Sequence, residues 1–237
     1  MKLNKKTAIV TGASSGIGAE FAKALTEKGC RVYGIARRAG RLEELQSRLG
    51  SLFVPVPLDI TDYDNLEAWV KETFSSGSSP DILINNAGLG RFGPVDELPP
   101  EQWDTMVHTN LTSVFRLTRL VVPLMKSSDR TSHIVNIASV AGLLGNPNIS
   151  GYNATKFALR GFSESLMKEL RNFRIKVTCI YPGSIATEFF EEQGGTHSNM
   201  LQGSDVADTV VYILETPDNF LIDEITLRPL IPKPPEK

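Results

Sequence analysis

A chain of 237 residues, 41% hydrophobic and 22% charged, has the make-up of one ordinary globular domain, which argues against disorder and membrane residence. Its formal charge of −2 supplies no basic field for nucleic acid, and no apolar run nears the roughly 18 residues of a membrane span. Cys30 and Cys179 each adjoin an apolar run and read as small buried side chains rather than a disulfide; with no evident secretory signal, a soluble cytoplasmic protein is expected.

Thr7–Thr11 reads as a short buried strand, and Gly12-Ala-Ser-Ser-Gly16-Ile-Gly18 follows it, opening a helix with Phe21, Ala22 and Leu25 on its apolar face. Glycine lets a backbone turn sharply and approach a ligand, while a helix amino terminus offers free N–H groups to a pyrophosphate. The spacing, Gly-x-x-x-Gly-x-Gly, differs from the Gly-x-Gly-x-x-Gly dinucleotide fingerprint. The second strand, Arg31–Ala36, ends in Arg37 and Arg38, about where a dinucleotide fold meets the adenine ribose. An acid there would suit a free 2′-hydroxyl and an arginine suits a 2′-phosphate, so NADP is the expected cofactor; Ser15 is not basic and leaves that preference to the arginines.

The third strand, Leu52–Leu58, carries two prolines and is expected at an edge of the sheet. Asp59 after it either accepts from the adenine amino group or stays a loop residue beside a helix capped by Thr61 or Asp62. A fourth strand, Asp81–Asn85, runs into Asn86-Ala87-Gly88. A long helix over 100–125 then shows a broad apolar face interrupted by Asn110, an amide that is either a satisfied core group or the holder of a water. Alternating strands and helices predict a parallel sheet of about seven strands, a doubly wound α/β domain over residues 1–230, with ligands beyond the carboxyl ends of the strands.

The richest stretch is 133–156. A β-branched strand ends at Ser139, a loop follows through Gly142, Gly145 and Pro147, and Tyr152 opens a helix with Lys156 one turn later. A free phenol, with a pKa of about 10, is a poor proton donor and acceptor near neutrality, and a close ammonium would lower it. Ser139 at the strand end would stand beside that phenol, the pair polarising and protonating a carbonyl oxygen. A second apolar helix over 157–170 precedes a sixth strand, Lys176–Tyr181, ended by Pro182-Gly183. The polar segment 184–200, with Gly194-Gly195, reads as a cover for the ligand edge; its His197 has no second metal-type ligand nearby and reads as solvated, so no metal is expected. A last helix from Ser204, a last strand Glu224–Arg228 and a proline-rich tail, 231–237, complete the chain.

Taken together, Thr11-Gly-x-x-x-Gly16-x-Gly18, Asp59, Asn85-Asn86-Ala87-Gly88, Asn110, Ser139, Tyr152-x-x-x-Lys156 and Pro182-Gly183 with Thr187 resemble the compact, single-domain branch of the short-chain dehydrogenase/reductase family over residues 4–230. The resemblance implies a Rossmann-type fold, hydride transfer with a nicotinamide cofactor, and a Ser139-Tyr152-Lys156-Asn110 constellation in which Tyr152 moves the proton, Lys156 tunes it and binds the nicotinamide ribose, and Asn110 supports a water relay. It also implies cofactor contacts from Gly12, Ser14, Ser15, Gly16, Ile17 and Gly18, from Arg37, Arg38, Asp59 and Ile60, from Asn86, Ala87 and Gly88, and from Pro182, Gly183, Ile185 and Thr187. The last strand, Ile222-Asp-Glu-Ile-Thr-Leu-Arg-Pro, lacks the glycine-rich ending of ketoacyl-thioester reductases and is more similar to serine, allo-threonine and 3-hydroxy acid dehydrogenases.

The expected function is interconversion of a carbonyl and a secondary alcohol with NADP(H), the substrate being a small 3-hydroxy acid or amino-acid-like alcohol. A ketoacyl-thioester reductase, a non-catalytic cofactor sensor and an epimerase or dehydratase stand as alternatives. Arg91 and Phe92 after Gly88, and Phe189 and Phe190 after Thr187, are expected to shape the pocket, Arg91 as a carboxylate binder. The apolar breadth of helices 100–125 and 157–170 predicts burial between subunits in a homodimer or homotetramer.

Overall fold

The computed structural model describes residues 1–191 and 195–231, apart from the side chains of residues 190 and 191. Gly194, the Phe190 ring and the tail beyond Ile231, all singled out in the sequence, lie outside the described residues. Seven strands, β1 (Thr7–Thr11), β2 (Arg31–Ala36), β3 (Phe53–Pro57), β4 (Ile82–Asn85), β5 (Ser132–Ile137), β6 (Ile175–Pro182) and β7 (Glu224–Leu227), form one sheet in the order β3-β2-β1-β4-β5-β6-β7. Every neighbouring pair is parallel. β3 lies at the edge, as its prolines require: Pro55 and Pro57 have no N–H to donate, and β3 needs to pair only with β2.

The first crossovers are the helices α1 (Gly16–Glu27), α2 (Ala39–Leu49) and α3 (Tyr63–Thr73). They are followed by α4 (Pro100–Val107), α5 (Ser113–Lys126), α6 (Ser150–Leu170), the single turn α7 (Glu188–Glu191) and α8 (Gly203–Glu215). They sort to the two faces of the sheet. Phe21, Leu25, Leu42, Leu45, Val206 and Val210 from α1, α2 and α8 pack with Val10, Val32 and Ile84 on one side. On the other, Leu66, Val70, Leu117, Val121 and Leu166 from α3, α5 and α6 pack on Ile9, Ile35, Leu83 and Ile134. Near-continuous apolar strands such as Ile82–Ile84 follow from this two-sided burial.

The helix expected over 100–125 is not one regular element. Between α4 and α5 the backbone makes a π-helical turn, His108–Thr112, around the buried Asn110. An extra residue per turn swings the Asn110 amide out of the apolar stripe and onto the backbone of Leu89, so the interruption that the sequence displayed has a mechanical purpose.

Candidate active site

The carboxyl ends of β1, β2, β4, β5 and β6 open onto a cavity of about 830 Å³, within the roughly 300–1,000 Å³ of small-molecule and cofactor sites. Its floor at β1 is the glycine turn. Gly12 has φ of +69°, and a Cβ there would lie 2.9 Å from Asn86 Nδ2 and 3.0 Å from Ala87 Cα. A Cβ on Gly18 would lie 2.2 Å from the Gly12 carbonyl oxygen, so only glycine lets α1 begin against the turn. Ser15 gives α1 no side-chain cap, which leaves first-turn N–H groups for an anion. Gly12, Ser14, Ser15, Gly16 and Ile17 line the cavity; Gly18 does not, and acts by letting the helix approach.

Arg37 and Arg38 line the same cavity past β2, both exposed. Arg38 donates to Ser14 Oγ from Nη2 at 3.1 Å and to Ser15 Oγ at 2.6 Å, and from Nη1 to Glu188 at 3.3 Å. Asp59 and Ile60 line the next stretch of wall. Asp59 Oδ1 accepts from Thr61 N at 2.9 Å and Thr61 Oγ1 at 2.7 Å, while Asp62 caps α3 through Asn65 N, so of the two cap candidates, Thr61 and Asp62, it is Asp62 that caps. Asn86, Ala87 and Gly88 form the wall after β4. The Asn86 amide donates to Thr11 O at 2.9 Å, and Thr11 Oγ1 accepts from the N–H groups of Asn86 and Ala87 at 3.0 Å each, tying the ends of β1 and β4 together. Pro182, Gly183, Ile185 and Thr187 close the β6 side, where Ile185 bridges to Leu201 and fastens the base of the 184–201 segment.

Ser139, Tyr152 and Lys156 meet on the opposite wall. Tyr152 and Lys156 sit in the first two turns of α6, with the Lys156 ammonium 5.6 Å from the Tyr152 ring centroid and donating to Ile137 O at 3.0 Å. The Ser139 hydroxyl accepts from Ala141 N at 3.1 Å, which orients it beside the phenol. The electrostatics differ from the sequence expectation. Burial pushes the Tyr152 phenol up to about 12, with Ser139 drawing it the other way, and burial lowers the Lys156 ammonium to about 8. Both side chains are buried, and desolvation penalises the charged form of each. These protein groups therefore hold a neutral phenol, a proton donor.

Asn110 does not line the cavity. Its amide donates to Leu89 O at 2.8 Å and Thr155 Oγ1 at 3.1 Å, and its Oδ1 accepts from Leu89 N at 2.9 Å, so it clamps the loop after Gly88 to α6. Phe92 and Phe189 pack on the Tyr152 ring, with centroids 5.6 and 5.9 Å from its own and 6.2 Å from each other. Arg91 lines the cavity, its Nη1 donating to Gly90 O at 3.3 Å. His197 accepts from Asn199 N at 3.3 Å in a turn of the 184–201 segment.

Several supporting roles were not foreseen. Asn85 donates to Asn136 Oδ1 at 2.8 Å, and Asn136 donates to Ser163 Oγ at 2.8 Å, a fully buried chain that fixes the placement of α6 on β5. Asn153 donates to Ala141 O and Leu144 O and accepts from Asn146 N, holding the loop after Ser139 onto the start of α6. The available signal was polar residues inside apolar runs, which must be paired when buried. Arg41 and Glu188, held together at 2.6 Å, gave no such signal because one lies in a solvated helix and the other in a polar segment.

The short chain dehydrogenase family model matches residues 6–197. An uncharacterized oxidoreductase of Staphylococcus epidermidis is 34% identical over 97% of this chain and 99% of its own length. The closed form of serine dehydrogenase complexed with NADP+ superposes with a TM-score of 0.87 at 30% identity, covering 93% of this chain and 94% of that one. The 3-ketoacyl-(acyl-carrier-protein) reductase of Brucella melitensis complexed with NADH does so with a TM-score of 0.84 at 27% identity, over 94% and 97%. With the glycine turn, the serine, the tyrosine and the lysine gathered on one cavity, the chain belongs to the short-chain dehydrogenase family and is an oxidoreductase of that type.

Proposed function

We propose that the protein interconverts a carbonyl compound and a secondary alcohol with NADP(H), Tyr152 moving the proton. One observation carries this: Ser139, Tyr152 and Lys156 share a cavity with a glycine turn whose two key positions leave no space for a Cβ. That cradle, the uncapped start of α1 and the cavity's size fit a dinucleotide, with Gly12–Ile17 at the pyrophosphate, Arg37 and Arg38 at the 2′-phosphate and Asp59 and Ile60 at the adenine. Neighbours of this fold are known with NADP+ and with NADH, so the NADP(H) reading rests on the residues after β2, which here are basic.

When bound, the nicotinamide supplies or accepts the hydride. In reduction the Tyr152 hydroxyl gives its proton to the carbonyl oxygen as negative charge builds there, and the Ser139 hydroxyl donates to the same oxygen. The Lys156 ammonium, fixed by Ile137 O, stabilises the phenolate left behind and holds the nicotinamide ribose. Asn110 keeps the Gly88–Leu89 loop against α6, so the cofactor wall and the phenol stay in register, and this positioning role replaces a water relay as the reading favoured by its bonds.

A small 3-hydroxy acid or amino-acid-like alcohol fits if its carboxylate meets Arg91. The packing of Phe92 and Phe189 on Tyr152, with Ile149 also on the wall, favours a second reading, a neutral carbonyl with an apolar substituent. NADPH oxidation should be followed across 3-keto acids, ketoacyl thioesters and neutral ketones, with the alcohol product quantified. Stoichiometric alcohol formation from one class supports the proposal and names the substrate. Tight NADPH binding with no turnover on any class would leave a cofactor sensor instead.

A further inference from the structure

At the rim of the cavity, two neighbouring residues of α7 reach opposite ends of the site. Glu188 Oε1 and Oε2 accept from Arg41 Nη1 at 2.6 and 2.8 Å, and Oε2 also accepts from Arg38 Nη1 at 3.3 Å. Arg38 in turn holds Ser14 Oγ and Ser15 Oγ of the glycine turn. Two guanidinium groups thus converge on one carboxylate, and one of them also holds two hydroxyls of the glycine turn; such a donor set suits a phosphate better, since a phosphate has three oxygens and up to two charges. Glu188 also stands where the main cavity meets an adjoining polar one of about 550 Å³, lined by Arg41, Arg48, Ser14 and Ser15. The arginines hold the Glu188 carboxyl below its usual pKa range, so it is a full anion at neutral pH.

We propose that Arg41 is a third member of the 2′-phosphate site and that Glu188 is a built-in competitor for it, a cofactor-specificity residue whose carboxylate occupies the arginines until a 2′-phosphate displaces it. This rests on the NADP(H) reading above. The next residue, Phe189, packs on Tyr152 and Phe92, so exchange of carboxylate for phosphate acts at one end of a single helical turn and loosens the ring over the phenol at the other. NADH, lacking the phosphate, leaves the pair intact.

Glu188 and both arginines are more than 40% exposed, so the competition is screened and its effect is modest: removing the charge should tighten phosphate binding about two- to tenfold. The test titrates wild type, Glu188→Gln and Arg41→Ala with NADPH, NADH, adenosine 2′,5′-bisphosphate and adenosine 5′-phosphate. Glu188→Gln should bind NADPH and the bisphosphate more tightly by that factor with NADH and the monophosphate unchanged, and Arg41→Ala should weaken the 2′-phosphorylated ligands alone. In wild type, the bisphosphate but not the monophosphate should speed amide exchange over residues 186–190. Equal or weaker NADPH binding by Glu188→Gln, or a like change for NADPH and NADH, overturns the proposal. If wild type itself does not prefer 2′-phosphorylated ligands, the NADP(H) reading has failed; if it does and Glu188→Gln changes nothing, only this inference has.

Discussion

Replacing Asn110 with alanine separates a clamp from a participant in the chemistry. The side chain is 1% exposed and makes three hydrogen bonds, two to the backbone of Leu89 and one to Thr155. At about 0.5–1.5 kcal/mol net per bond, with the deserted Leu89 groups reaching some water, Asn110→Ala should cost roughly 2–4 kcal/mol. In a domain of this size that lowers Tm by roughly 5–15 °C. The freed loop carries Gly88 and Leu89 beside the cofactor wall, so KM for NADPH should rise more than kcat falls. Calorimetry with and without NADPH, paired with initial rates, reads both. A Tm within about 1 °C of wild type with kcat down about a hundredfold would refute the clamp, because that pattern belongs to a group acting on the proton path.

The pH profiles should run in opposite directions. With Tyr152 at about 12 and Lys156 at about 8, kcat/KM for reduction should stay level below pH about 8 and fall above it as the lysine loses its charge, whereas oxidation, needing the phenolate, should rise with pH; oxidation that falls from pH 7 to 10 contradicts this. Arg37→Ala should weaken NADPH binding about ten- to a hundredfold and NADH binding by less than about twofold, in titrations by nicotinamide fluorescence; equal losses would leave the arginine a solvated side chain. The exposed rings of Trp103 on α4, Phe115 on α5 and Phe157 on α6 should be covered by a second copy of the chain, and sedimentation at micromolar concentration should give a dimer or tetramer; a monomer would exclude it.

The sheet, the edge placement of β3 and the helices on both faces were legible because they rest on local patterns: apolar runs of strand length, prolines, and glycines at turns. The residues lining the cavity were legible for a related reason. In a parallel sheet they cluster at the carboxyl ends of strands, and strand ends are marked in the sequence by Gly12, Asn86, Ser139 and Pro182. Three things were not legible. The π-helical turn at Asn110 depends on a partner, Leu89, that only the tertiary fold brings near. The rise in the Tyr152 pKa depends on how completely the site excludes water, whereas the Tyr-x-x-x-Lys spacing shows only that a cation is near. The Glu188 pair joins residues about 150 positions apart, both exposed, with no apolar periodicity to betray the contact.

The central claim is that the Tyr152 hydroxyl carries the proton, and Tyr152→Phe tests it most directly because it deletes one oxygen and keeps the ring that packs against Phe92 and Phe189. Single-turnover NADPH oxidation, on enzyme shown by titration to be loaded with cofactor, should be slower by about 10²–10⁴-fold, with the Kd for NADPH within about twofold of wild type. A variant that binds NADPH normally and keeps most of its rate would contradict the account.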